Sequence, residues 1–436
     1  MAIRVWTIPI GRTASATAHH VPAQSTRYVI SAGAARTLRN VMALRTLSML
    51  RNSARKSGRG RPSARNLSVP LKTLGVVGTM PPVIEATSSS CDEISAVVMT
   101  SGYRTGHTGA MRVLAAFDKF KGTADAASLC AAVVETAEAA GHIGVALPLA
   151  DGGEGTVQAF GGANQTTTVT GPLGEPVDAA WRYENGVAVI EMAEAAGLVL
   201  AGGAEGNDPV NATTRGVGEL IAAAASNGAT QIIVGVGGSA TTDGGAGAIE
   251  ALESTRLEGI DLVVACDVKT HFVDAAQVFG PQKGASPAQV QDLTERLRQL
   301  EASYHQNHGV DVSAIPGSGA AGGLAGGLAA LGARLVDGFE LIADQCGLAD
   351  HIRTADLVVT GEGQFDQTSL EGKVVGGVID RCAELHTDVL VIAGAVASGY
   401  ESDTVLSLAS EVGLAHALHQ PIDALVAVLA EHLAAV

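Results

Sequence analysis

The sequence predicts an α/β protein built on parallel sheet. Runs such as Ile232-Ile-Val-Gly235 and Leu357-Val-Val-Thr360 are unbroken aliphatic, as strands covered on both faces are. Segments of helical spacing alternate with these runs, which is the pattern of βα units. Hydrophobic residues make up 47% of the 436 residues and aromatics only 3%, so the core must be aliphatic, and 54 glycines without a short period supply turns between many elements. The length accommodates two or three domains.

Residues 1–110 stand apart from the rest. They hold 14 Lys/Arg and 3 Asp/Glu, against 14 and 41 in the remainder. Their Arg- and Ser-rich stretch at 36–65 reads as a basic, disordered extension, with a targeting peptide or a binding arm as alternatives. From Met111 the pattern becomes regular. Residues 112–117 form a strand, 118–122 a loop, and 123–140 a helix capped by Thr123 or Asp125. A second strand, 143–148, runs into the loop 149–155 and a helix from Thr156. Residues 166–169, 179–183 and 187–192 read as short strands with a turn at 171–174, a β-rich and antiparallel part. A helix at 216–226 precedes the strand 232–235, a glycine-rich turn and a helix from about Gly247.

The strand 262–265 ends in Cys266-Asp267. Residues 287–307 carry Val290, Leu293, Leu297 and Leu300 at helical spacing. A second glycine-rich turn at 317–327 enters a small-residue helix ending at Leu331. Strands at 357–360 and 389–392 and an amphipathic helix at 422–436 complete the chain.

One event recurs: a strand opens at its C-terminal end into a loop of glycines and carboxylates, at Asp118, Asp151, Gly237, Asp267 and Gly361. In open α/β sheets ligands bind off these ends, so the loops point to one shared polar cleft. They offer Asp118, Asp151, Glu154, Asp243, Asp267, Glu362 and Asp366, the lysines 119, 121, 283 and 373, and the hydroxyls of Ser239, Thr241 and Thr368. Phosphoryl transfer uses this set: amides and lysines cradle phosphates, acids hold Mg²⁺, and one acid accepts the proton of the nucleophile. Each residue also has an ordinary reading as a helix cap, a strand-end acid or a tight turn. The oxygen-only donors suit Mg²⁺, and no His/Cys cluster suggests zinc.

Other classes are disfavoured. The turn at 235–247 lacks the Gly-Lys-Ser/Thr of a Walker loop, and no GxGxxG follows the first strand, which speaks against a dehydrogenase. The acidic body does not suit nucleic acid, and no apolar run is long enough for a membrane span. Five scattered cysteines without a CxxC suggest free thiols in a reducing, cytoplasmic setting.

Seven motifs in order, beginning with Ala116-Phe-Asp-Lys-Phe-Lys-Gly122 and Leu149-Ala-Asp-Gly-Gly-Glu-Gly-Thr156, resemble the type-1 glycerate kinase family. The others are Thr170-Gly-Pro-Leu-Gly174, Gly235-Val-Gly-Gly-Ser-Ala-Thr-Thr-Asp-Gly-Gly-Ala-Gly247, Ala265-Cys-Asp-Val268, Val278-Phe-Gly-Pro-Gln-Lys-Gly284, and Thr360-Gly-Glu-Gly-Gln-Phe-Asp-Gln-Thr368 with Gly372-Lys373. The resemblance implies ATP-dependent phosphorylation of D-glycerate, at the 2-hydroxyl; a monomer or homodimer acting on this small molecule is expected. It implies two α/β domains with the active site between them: a flavodoxin-like domain with a parallel sheet from residues 111–160 and 315–436, and an inserted mixed-sheet domain at 161–314. The chain departs from the family at Phe117, Thr242, Gln364 and Lys269–Phe272, positions expected to border the cleft.

The expected roles follow. Asp118 or Asp151 accepts the hydroxyl proton, and Lys121 or Lys283 neutralises the transferred group. Asp243 and Asp267 hold Mg²⁺. ATP lies against Gly237, Gly238, Ser239, Thr241, Gly244 and Gly245, with Gly322, Gly323, Glu362 and Lys373. A ligand-binding sensor of the same fold, without turnover, is the alternative.

Overall fold

A computed structural model describes residues 109–370 and 373–435, all within the unit Glu85–Val436. The expectations for residues 1–108, and Gly372 of the last motif, lie outside the described residues. Two sheets organise the rest.

The first sheet collects both ends of the described chain. Strands β1 (Arg112–Ala115) and β2 (Ile143–Ala146) lie at one side. The chain then builds the whole of the second sheet before it returns to the first. The second sheet comprises β3 (Gln165–Thr170), β4 (Pro176–Glu184), β5 (Val187–Glu191), β6 (Gln231–Gly235), β7 (Asp261–Cys266) and β8 (Arg334–Asp337), in that spatial order. β3, β4 and β5 pair antiparallel, and β5 to β8 pair parallel. This is the expected mixed sheet.

After β8 the chain returns to the first sheet with β9 (Leu357–Thr360), then β10 (Gln364–Phe365), β11 (Asp388–Ala393), β12 (Ala395–Val396) and β13 (Val405–Ser407). The first sheet is wholly parallel, in the order β13-β11-β9-β1-β2. Counting only its own strands, that is the order 2-1-3-4-5 of a flavodoxin-like sheet, with its switch point between β1 and β9. β10 and β12 form a separate two-stranded ribbon at the C-terminal ends of β9 and β11.

The expected boundary after residue 314 lies one helix and one strand too early. Leu324, Ala325 and Leu328 pack in the core of the six-stranded sheet, and β8 pairs with β7, so the chain leaves this lobe only at Asp337. β8, with the sequence Arg-Leu-Val-Asp, is too short and too polar to stand out in the sequence. β13 escaped notice for the same reason of length.

Each face of the parallel sheet is covered. The helices Ala126–Ala139 and Pro421–Ala435 lie on one side, with Leu129, Val133, Leu425 and Leu429 in the core. Asp125 caps the first of these through the backbone N–H of Ser128, as one of the two expected caps. The other face takes the helices Gly338–Gln345, Leu348–Thr354 and Val374–Leu385. The helix Gly338–Gln345 serves both lobes: Phe339 and Ile342 lie in the first core, while Leu341 packs with Val157, Ile233 and Val263 of the second. The loops at the strand ends are therefore anchored on a shared, packed seam.

Candidate active site

The seam exists because glycines let backbone meet backbone. Gly152 has φ of 90° and its carbonyl accepts the Val236 N–H at 2.9 Å, joining the loop after β2 to the end of β6. A Cβ on Gly237 would fall 2.6 Å from Cα of Gly153. Through these contacts the strand ends of both lobes open into one cleft of about 810 Å³.

Carboxylates enter the cleft from four strand ends. Asp118 follows β1, Asp151 follows β2, Asp267 follows β7 and Glu362 follows β9, all lining it together. Asp118 and Glu362 thus flank the switch point of the parallel sheet. Lys119, Lys121 and Lys373 line the same cleft, as do Gly237 and Gly238 at the end of β6. Of the residues the loops offer, these nine are brought together.

The acids crowd one another. Burial raises the Asp118 carboxyl to about 6; the adjacent Lys119 ammonium pulls it down, and Asp151 and Glu362 push it up. Lys119 sits 3.6 Å from Asp118 and donates to the Glu154 carbonyl at 3.0 Å. Burial works against the Lys119 charge, yet Asp118, Asp151 and Glu154 outweigh it and hold the amine above its ordinary value. Loss of solvent, then Asp151, raises Asp267. Loss of solvent raises Glu362 as well, and its Oε1 is buried with no hydrogen-bond partner. Asp151 accepts the Gly153 N–H at 3.2 Å, which fixes its own loop.

Glu154 and Asp366 line the cleft as well, whereas the other residues given roles lie elsewhere. Asp243, expected to bind metal, is buried and its oxygens accept from the N–H groups of Thr214, Gly245 and Gly247 and the Thr214 hydroxyl. It is a structural carboxylate that ties two helix starts together. Lys283, expected in catalysis, is 2% exposed and donates to the Thr241 carbonyl at 2.7 Å. Thr241 is buried, and Ser239 pairs its backbone with Gly197. Gly244, Gly245, Gly322 and Gly323, expected to hold ATP, pack the two glycine turns against each other. The Gly244 N–H donates to the Gly322 carbonyl at 3.0 Å, and a Cβ on Gly322 would fall 2.0 Å from the Thr241 oxygen. Glycine demanded by close packing and glycine demanded by phosphate look alike in a sequence.

Of the departures, Phe117 and Phe272 are buried in the cores and Thr242 is a buried polar residue, whereas Gln364 does line the cleft. Sequence reasoning missed Glu191, whose carboxylate accepts the N–H groups of Gly155 at 3.1 Å and Val157 at 2.8 Å and so holds the Asp151 loop. Its only signal is an acid ending the aliphatic run Val187–Glu191. Also missed was an apolar wall of Leu414, Ala417 and Leu418 beside the charged groups.

Comparison with known proteins gives a consistent result. A family model described as the glycerate kinase family matches residues 113–256 and 253–435. Glycerate 2-kinase of Escherichia coli (strain K12) is 40% identical over 324 residues, covering 65% of this chain and 81% of that protein. Glycerate kinase of Halalkalibacterium halodurans is 38% identical over 295 residues, covering 59% and 77%. A solved structure described as glycerate kinase 2 of Salmonella typhimurium LT2 superposes with a TM-score of 0.63 at 33% identity, covering 75% of this chain and 99% of that one.

Proposed function

The chain belongs to the glycerate kinase family, and on that premise we propose that it transfers the terminal phosphoryl group of ATP to the 2-hydroxyl of D-glycerate, giving 2-phosphoglycerate. The observation that carries this reading is the convergence of Asp118, Asp151, Asp267 and Glu362 with three lysines at the switch point. The 2-hydroxyl follows the name of the Escherichia coli relative.

Asp118 is the general base. Its carboxyl, raised to about 6, is ionised at neutral pH yet basic enough to take the hydroxyl proton as the O–P bond forms. Lys119 keeps it ionised and, with Lys121 and Lys373, neutralises phosphate oxygens. Gly237 and Gly238 leave room for substrate on the opposite wall.

Mg²⁺ fits the residues present. The donors are all carboxylate oxygens, and one of them, Oε1 of Glu362, lacks a partner. Among the described residues no three acidic, His or Cys side chains form a ready cage, which suits an ion held by one or two carboxylates and the phosphates of its nucleotide. Asp151, Asp267 and Glu362 are the groups that would hold it. When bound it supplies charge neutralisation at the transferred phosphoryl group.

No helix of the described residues is long and apolar enough to cross a membrane, and Cys130, Cys266 and Cys382 are free and buried, as suits a reducing cytoplasm. The test is coupled ADP release with Mg-ATP and D-glycerate, with L-glycerate and glycerol as controls and phosphorus NMR of the product. Turnover confined to D-glycerate is expected. A folded protein that binds ATP and releases no ADP would overturn the reading in favour of a sensor.

A further inference from the structure

We infer that the base of the nucleotide donor rests on an apolar shelf formed by Leu414, Ala417 and Leu418, an assignment that rests on the phosphoryl-transfer reading above. These residues stand at i, i+3 and i+4 of the short helix Leu414–His419 and share one face. Ala417 is buried and roots the helix, while Leu414 is 58% and Leu418 51% exposed. Of the exposed large apolar side chains among the described residues, these two line the charged cleft.

Two bare leucines beside carboxylates and lysines call for an apolar occupant. D-glycerate cannot serve, since its three carbons carry a carboxylate and two hydroxyls. The donor can, because it joins a flat, largely apolar ring to a polyanion. The shelf belongs to the parallel-sheet lobe, beside the strand end at Gly394 and Ala395. The Ala409 N–H donates to the Gly394 carbonyl at 2.9 Å, tying the segment before the shelf helix to that strand end. Lys121 and Thr123 line the same cleft, so a ring on the shelf shares one continuous cavity with the groups that meet phosphate. The base therefore belongs to the parallel-sheet lobe, and Asp267 with Gly237 and Gly238 faces it from the other.

The test uses full-length protein and the variants Leu414→Ser and Leu418→Ser, with Leu418→Met as the conservative control. ADP and pyrophosphate binding are measured by calorimetry, and kinetics with ATP and D-glycerate. Each serine variant is expected to weaken ADP and raise KM for ATP by about tenfold, the loss of roughly half a buried leucine. Pyrophosphate, which lacks the base, binds all forms alike. KM for D-glycerate stays within about twofold, the melting temperature holds, and Leu418→Met keeps ADP affinity. Unchanged ADP affinity in both serine variants, or a rise confined to KM for D-glycerate, overturns the assignment. Should wild-type protein fail to phosphorylate D-glycerate, the ADP and pyrophosphate arms still decide the shelf.

Discussion

Asp118 and Lys283 are both ionisable groups out of water, and they make opposite demands on pH. Burial raises Asp118 from 3.8 to about 6, so the folded state holds its proton more tightly than the unfolded one. Stability is lost as pH rises from about 4 to 6, and the cost persists above that. Asp118→Asn is expected to lower kcat by about a hundredfold or more while raising the melting temperature by a few degrees at pH 8. Full turnover in this variant would remove Asp118 from the base role. Burial lowers Lys283 from 10.5 to about 7, with Asp243 opposing that shift, so here the unfolded state holds the proton more tightly and stability rises with pH between about 7 and 10.5. Lys283→Met removes this slope, and its melting temperature relative to wild type should hold level from pH 6 to about 7 and then fall through pH 9. Because the side chain does not reach the cleft, KM for either substrate should stay within about twofold. A large KM change would return Lys283 to the site. In the sequence these residues are equals, each a charged group within one of the seven motifs. What separates them is placement: Asp118 follows β1 into the cleft, Lys283 ends a helical turn buried against the Thr241 carbonyl, and that is a matter of packing.

At the scale of elements, strands with strong aliphatic runs were legible and short ones were not. β1, β6, β7, β9 and β11 stand out because both their faces are buried. β8 and β13 owe their strand state to neighbours already in place. The loop Gly152–Gly153 against Gly237 shows the limit from another side. Gly237→Ala would place its Cβ within 2.6 Å of Gly153, and the loop carrying Asp151 would have to retreat. We expect kcat/KM to fall more than tenfold with a smaller relative change in melting temperature, read from kinetics and calorimetry on the same preparation. Wild-type kinetics would mean that the seam does not position the acids.

At the scale of the molecule, the cleft draws on both lobes, and every group placed in it lies at or beyond residue 118. A protein starting at Met111 is therefore expected to keep the kcat/KM of the full chain, a comparison that steady-state kinetics decides; a loss beyond about tenfold would give residues 1–110 a part in the site. The amino-acid sequence by itself determined the α/β class, the strands with continuous aliphatic cores, the acid-and-glycine loops at their ends and, through seven ordered motifs, the family. These are local properties, set by periodicity and by residue type. Only the tertiary structure decided that Asp118, Asp151, Asp267 and Glu362 share a cleft, that Asp243 and Lys283 are buried supports, and that β8 belongs to the inserted lobe. Such outcomes depend on which backbones approach closely across the seam, and a glycine written in the chain does not say what it will touch.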